Sequence, residues 1–317
     1  MNERPELAVG GQAVIEGVMM RGPENIATAI RRANGEILVK KEKFISLTKR
    51  KRIFGLPIIR GFVSLIEMMI IGFKSLNFSA EQAMEHEKSN DDNVKKNSKL
   101  WSTLTYMFAF GLAFLIFVYL PYKSAYWLKL GEKTFSFNII AGIFRIVVFV
   151  AYIWVISLFK EVRRIFEFHG AEHKSVFAYE HQENLNFEHT LKYGTKHPRC
   201  GTSFIFIVLV IAILIFSILD SIVSVLWKIP PLPLRILIHL LFLPLISGIS
   251  YEVLKFSGKN INHPLVKIFT FPGLLLQYIT TKEPDEKQIE VAIIALKTAL
   301  NLPIPDKHFT LIEDTDS

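Results

Sequence analysis

Charge is spaced along this chain so that few folds remain open to it. From Leu100 to Tyr122 there are 23 consecutive residues without Asp, Glu, Lys or Arg. Thr134 to Phe159 is broken only by Arg145, and Cys200 to Leu219 is uncharged and continues past Asp220 to Trp227. Ile236 to Tyr251 is a fourth, shorter stretch that holds His239 and Pro244 and ends at Glu252. A helix needs about 20 predominantly apolar residues to cross a bilayer core, and soluble helices seldom run so far without a charge. These stretches read as four transmembrane helices. Two more apolar stretches fall short. Ile53 to Leu76 carries Arg60 and Glu67, seven residues apart and therefore on one helix face. That pattern suits a helix lying in the membrane interface or packing on other helices. Ile268 to Thr281 is 14 residues with Pro272-Gly273 inside it, and reads as interfacial or re-entrant.

Orientation follows from the basic residues. With both termini cytoplasmic, 31 Lys and Arg lie on the cytoplasmic side and 5 outside, with Arg145 inside a span. Topology and anionic headgroups thus account for the net charge of +8. No basic motif interleaved with aromatics accompanies it, so no specific nucleic acid is expected. The first apolar stretch, Leu7 to Met20, is interrupted by glycines, Gln12 and Glu16 and does not read as a signal peptide. The single Cys200 excludes a disulfide scaffold, and an apolar half excludes a disordered chain.

The expected fold is an all-α polytopic membrane protein of about four spans with a small N-terminal β-containing cytoplasmic module. Residues 1–52 form that module: Ile26 to Ala33 and Glu36 to Phe44 flank Asn34-Gly35, a two-residue hairpin signal. Residues 53–99 hold the amphipathic helix and a charged linker. Residues 100–254 form the membrane domain, with a cytoplasmic His-rich loop at 160–202. Residues 255–317 form a cytoplasmic segment in which Ile289, Ala292, Ile293, Leu296 and Leu300 repeat at helical spacing between Pro284 and Pro303.

The chemistry concentrates in the loop, where five of the nine histidines lie between positions 169 and 197. His169-Gly170-Ala171-Glu172-His173 is H-x-x-E-H, the inverted zinc-protease motif. On a helix the two histidines are four apart, project from one face, and suit one metal ion. Glu172 is placed to take a proton from a metal-bound water as general base. Gly170 costs about 1 kcal/mol against Ala in a helix interior. His197 and Cys200 form a second cluster able to reach one metal from a tight loop, which gives His169, His173, His197 and Cys200 as a closed N/S set. If three bind, the fourth position is open. Glu180, His181, Glu188 and His189 are reserve ligands. Glu16 and Arg21, and Glu252 at the cytoplasmic end of the fourth span, are further site candidates. Arg145 and Asp220 lie within spans, where an ionisable residue is a functional candidate by default.

The runs Gly10–Arg21 (GGQAVIEGVMMR), Phe168–Lys174 (FHGAEHK) and His197–Ser203 (HPRCGTS), with Ser250-Tyr251-Glu252, Pro272–Gln277 and Thr280–Asp285, resemble the signatures of a bacterial membrane family of unknown function often labelled "predicted metal-dependent enzyme". The likeness covers nearly the whole chain. It implies the architecture above and leaves the reaction open.

The expectation is a metal-dependent enzyme, a hydrolase at the cytoplasmic face of the bacterial plasma membrane. Its cofactor would be a divalent metal, zinc first, and its partners membrane lipids. A non-catalytic, metal-stabilised scaffold is the first rival. A transporter is the second, disfavoured because the spans offer only Arg145, Asp220 and His239 as ionisable groups and show no inverted repeat.

Overall fold

The computed structural model describes residues 9–85, 98–120, 123–124, 134–227, 232–260, 263–304 and 309–314. Two bodies make up the fold, a layered α/β unit and a helical bundle. The α/β unit is built on a five-stranded sheet in the order β1 (Gly10–Val14), β2 (Gly17–Arg21), β3 (Asn25–Arg31), β4 (Ile37–Lys43), β5 (Phe309–Asp314). The first four strands form an antiparallel meander and β5 joins β4 in parallel. The sheet therefore extends beyond residues 1–52: its last strand comes from the far end of the chain. Gly35, at φ +87°, turns the chain between β3 and β4 where the Asn-Gly signal predicts it.

Side chains alternate across the pleat, and both faces are covered. Val18, Met20, Ala27, Ala29, Ile37 and Val39 pack against two helices, α5 (Lys160–Glu180) and α10 (Glu286–Ala299). Val14, Met19, Ile26, Ile30 and Leu38 pack against α2 (Ile59–Glu85), through Ile71, Met68 and Phe78. α2 follows a single helical turn, α1 (Leu47–Arg50), which Ser46 caps. The opposite face of α2 carries Ile66, Met69, Ile70 and Phe73 exposed. Asp285 opens α10 with a reciprocal capping box to Gln288. The charged stretch Glu81–Lys99, expected as a solvated linker or helix end, is helical as far as Glu85 and again from Ser98, and residues 86–97 lie outside the described residues.

Among the described residues, the bundle contains three helices long and apolar enough to cross a membrane: α4 (Thr134–Ile156), α7 (Gly201–Trp227) and α8 (Leu232–Lys259). Their apolar cores have mean hydropathy of 2.5, 3.0 and 1.8. The stretch expected as the first span is helical as α3 (Ser98–Phe114), continuing in a π-helical segment over Leu115–Tyr119. Among the described residues its apolar helix is Met107–Phe117, shorter than the length criterion for a span. α7 packs against α4, α8 and α9 (Pro264–Thr280), and α8 packs against α2. Within the bundle, His239 Nε2 lies 3.0 Å from Asp220 Oδ1 and its ring stacks on Phe216. Of the two charges that the sequence places inside spans, Arg145 in α4 and Asp220 in α7, Asp220 is thus tied to a histidine of α8.

The α/β unit is locked to the bundle at two places. Arg60 of α2 makes a bidentate pair with Glu252 of α8, Nε to Oε1 at 2.6 Å and Nη2 to Oε2 at 2.5 Å. One turn away the backbones of Gly61 and Gly248 meet so closely that a Cβ on Gly61 would stand 2.9 Å from the Gly248 Cα. The second junction is the site described next.

Candidate metal centre

α5 is a 21-residue helix, as the spacing of His169 and His173 requires. Gly170 explains itself in three dimensions. A Cβ there would lie 2.0 Å from the carbonyl oxygen of Lys282, so the glycine admits the chain segment leaving α9 against α5. The Lys282 N–H donates to Phe166 O at 2.9 Å and seals that contact.

Three donor groups converge from two elements: His169 and His173 of α5, and Cys200, which immediately precedes α7. Their ligand atoms all lie within 4.8 Å of one another. Each imidazole is fixed by a backbone carbonyl. His169 Nδ1 donates to Thr280 O at 2.8 Å and His173 Nδ1 donates to Thr195 O. Both rings are thereby assigned the tautomer whose Nε2 carries the lone pair. The His169 Nε2 faces Cys200 Sγ at 3.2 Å. With Zn–N of about 2.0 Å and Zn–S of about 2.3 Å, a tetrahedral site sets nitrogen and sulfur about 3.5 Å apart, so this pair stands within a few tenths of an ångström of the separation of two ligands. The Cys200 sulfur also accepts the Thr202 N–H at 3.4 Å and meets Thr202 Oγ1 at 3.1 Å. That puts the sulfur at the positive end of α7, where anionic character is favoured. Second-partner carbonyls that orient a histidine in this manner are the usual accompaniment of metal ligation.

Glu172 sits beside the donors, with Oε2 3.4 Å from His173 Nε2. It accepts the Gly11 backbone N–H from β1. Burial pushes the Glu172 carboxyl above its usual range, against the pull of His169, His197 and that N–H. Burial likewise pushes His169 below its usual value, opposed by the charge of Glu172 and the Thr280 carbonyl. A Cβ on Gly11 would come within 2.8 Å of the Glu172 side chain, so the N-terminal glycine run forms a wall of the site.

The other expected ligand, His197, faces away. Its Nδ1 accepts the Arg199 N–H at 3.2 Å and its Nε2 lies 3.3 Å from Glu180 Oε1. It stands behind His173, ring centroids 5.7 Å apart, and packs on Phe177. Burial alone would raise Glu180, but His197 and Arg199 outweigh it and hold that carboxyl below its usual range. The structure therefore gives a set of three donors and not the closed four. Glu16, Arg21 and Glu252 lie elsewhere. Glu16, in the β1–β2 turn at φ +54°, pairs through both carboxylate oxygens with Arg164. Arg21 donates to Met68 Sδ and lies over the Phe44 ring at 4.7 Å. Glu252 is held by Arg60.

Gln277 of α9 belongs to the site without having been read as such. It is fully buried. Its Oε1 accepts the His197 N–H at 2.7 Å, and its Nε2 donates to His197 O at 2.9 Å and to Ser203 Oγ at 3.0 Å. It clamps both ends of the loop that presents Cys200. Lys174, also buried, donates Nζ to the carbonyls of Leu191 and Tyr193 and pairs with Glu283 at 3.0 Å. A polar residue in a largely apolar run, like Gln277 in α9, is the signal that marks such a clamp.

Residues 56–302 match the family described as "Protein of unknown function (DUF1385)". The chain is also similar to the "Uncharacterized protein YqhQ" of Bacillus subtilis (strain 168), 33% identical over 307 residues that cover 93% of each chain. No solved structure matches.

Proposed function

The chain belongs to this family of unknown function, and from that premise we propose that it is a metal-dependent membrane enzyme, a hydrolase working at the cytoplasmic end of its bundle. The observation that carries the reading is the donor set itself. Two imidazoles, each with Nδ1–H spent on a backbone carbonyl, bring a ligand atom within 4.8 Å of one another and of a cysteine sulfur, which His169 Nε2 meets at 3.2 Å. His169, His173 and Cys200 would hold the ion, with zinc first by ligand type. A divalent ion supplies Lewis acidity and lowers the pKa of water. Three protein donors leave a position open, as catalytic zinc sites do. Glu172 is the candidate general base: burial raises its proton affinity, and it stands against His173.

The proposed topology has four spans and both termini cytoplasmic, in the bacterial plasma membrane. The excess of Lys and Arg on one side supports it. So does the packing of α5 and α10 on a sheet made from both ends of the chain, which requires an even number of crossings between them.

A second reading is a structural metal centre in a non-catalytic scaffold. The burial of His173, Glu172 and Cys200, at 2%, 5% and 6% exposed, favours it. One experiment tests both. Elemental analysis of detergent-purified protein should find about one divalent ion per chain, lost in His169→Ala/His173→Ala and in Cys200→Ser and kept in Glu172→Gln. No stoichiometric metal in a preparation never exposed to chelator would remove both readings. With cobalt in the site, a change of visible spectrum on adding a small exogenous ligand assigns the open, catalytic version; an inert spectrum assigns the structural one.

A further inference from the structure

A cavity of about 380 Å³ lies where α4 ends, α5 begins and α9 finishes. Its walls have two characters. Trp154, Leu158 and Tyr278 are apolar or aromatic and expose more than half of their surface. Arg163 and Lys282 are cationic, and Ser157 is a hydroxyl. A third cation stands at the rim, Lys196, with Nζ 3.7 Å from the Tyr278 ring centroid. The N-terminus of α5 falls between Leu158 and Arg163, and its N-cap residue Phe159 supplies no side-chain cap. First-turn N–H groups of such a helix are ready donors to an anion.

The depth of the cavity decides what kind of anion. Trp154 lies in the last turn of span α4 and Ser157 just beyond its end, where the apolar stretch stops at Ile156. Trp and Tyr concentrate at the level of lipid headgroups, and Lys and Arg reach from there to phosphate. Lys282 donates Nζ to the Tyr278 backbone carbonyl at 3.1 Å, which ties its ammonium to the last turn of α9. Arg163 shares its charge with Glu167 at 3.5 Å but remains 65% exposed.

We propose that this cavity binds the phosphate headgroup of an anionic membrane lipid, with Arg163, Lys282 and the α5 N-terminus on the phosphate and Trp154, Leu158 and Tyr278 along the glycerol and upper acyl chain. The proposal rests on the membrane disposition given above but not on the metal. The cavity shares a wall with the metal centre. Lys282 contributes its side chain to the cavity and its carbonyl oxygen to the Gly170 contact, and Thr280, two residues earlier, carries the carbonyl that fixes His169.

The test titrates phosphatidylglycerol into the detergent-solubilised full chain and follows thermal stability, with phosphatidylcholine and soluble glycerol 3-phosphate as comparisons. Phosphatidylglycerol alone should stabilise the wild type. The half-point should move to about 30-fold more lipid in Arg163→Gln/Lys282→Gln, at about 1 kcal/mol per cation. Should that variant not fold, Lys282→Gln alone is read, with a shift of about fivefold expected. Equal stabilisation by both lipids, an equal effect of free glycerol 3-phosphate, or an unchanged half-point in the variants would overturn the proposal. Metal content is measured on the same samples. Its absence sinks the metal reading without touching this one, and extraction of the chain from membranes by alkaline carbonate sinks the membrane disposition on which both stand.

Discussion

Glu172 shows how a site can be stable in one charge state and not in another. Burial raises its folded pKa above the usual 4.5. Above pH 4.5 the unfolded chain has released a proton that the folded chain retains, so stability must fall as pH rises until the folded pKa is passed. His169 works from the other side: its lowered pKa costs stability as pH falls below 6.5. In chelator-treated protein, Glu172→Gln is therefore expected to flatten the alkaline arm and leave the acidic arm in place. Gln resembles the protonated acid, keeps an acceptor for the Gly11 N–H and offers an N–H toward His173. Thermal melts of wild type and variant between pH 5 and 8 decide this; parallel curves would show that Glu172 is already ionised without metal. The spacing of His169, Glu172 and His173 was legible in sequence, because a helix puts i and i+4 together by geometry alone. That His197 turns to Glu180 instead was not, because the choice is made by Arg199 and Glu180 after the chain has folded.

At the scale of elements, α9 does two jobs with two faces. One exposes Leu265, Ile268, Phe271, Leu275 and Tyr278. The other carries Gln277, Thr280 and Thr281 into the metal centre. The short stretch with Pro272 inside it reads in sequence as interfacial or re-entrant, and its exposed apolar stripe has the composition of an interfacial helix, but its polar face gives no periodic signal that sequence can use. Gln277→Leu keeps the volume and removes the clamp, orphaning the His197 N–H and Ser203 Oγ and leaving the His197 carbonyl only the Cys200 N–H. Each buried orphan costs about 1–3 kcal/mol, so a loss of roughly 3 kcal/mol of stability is expected even after partial relaxation. The looser Cys200 loop should lower metal affinity about 10- to 100-fold, the usual penalty for removing a group that orients a ligand. Competition with a calibrated chelator measures the second effect independently of the first. Lower stability with unchanged affinity would make Gln277 a packing residue and nothing more.

The whole molecule is constrained by parity. β4 ends at Lys43, α5 begins at Lys160, α10 at Glu286 and β5 at Phe309, and all pack in one α/β unit. On the proposed membrane disposition, each excursion from that unit crosses the bilayer an even number of times. Between α5 and α10 the chain has two helices long and apolar enough to cross, α7 and α8, which meets that condition. Between β4 and α5 the described residues include one helix both long and apolar enough, α4, while α2 stays on the sheet. A single crossing there would put α5 on the opposite side of the membrane from β1, which it touches through Glu172 and Gly11. α3 is the segment available to supply the second crossing, and its uncharged run of 23 residues is long enough to do so. Three of the four apolar runs in the sequence coincide with the helices long and apolar enough to span, α4, α7 and α8. Sequence could not show that the sheet is shared between the two ends of the chain, since β5 pairs with β4 across more than 260 residues of intervening chain. A cysteine placed at Gly131, between α3 and α4, should react with a membrane-impermeant maleimide in intact cells, and one at Asn184, beyond α5, should react only after lysis. The native Cys200 is buried and contributes little background. Labelling of both positions from the same side would mean that α3 does not cross, and the even count would then have to be met by withdrawing α4 from the bilayer as well.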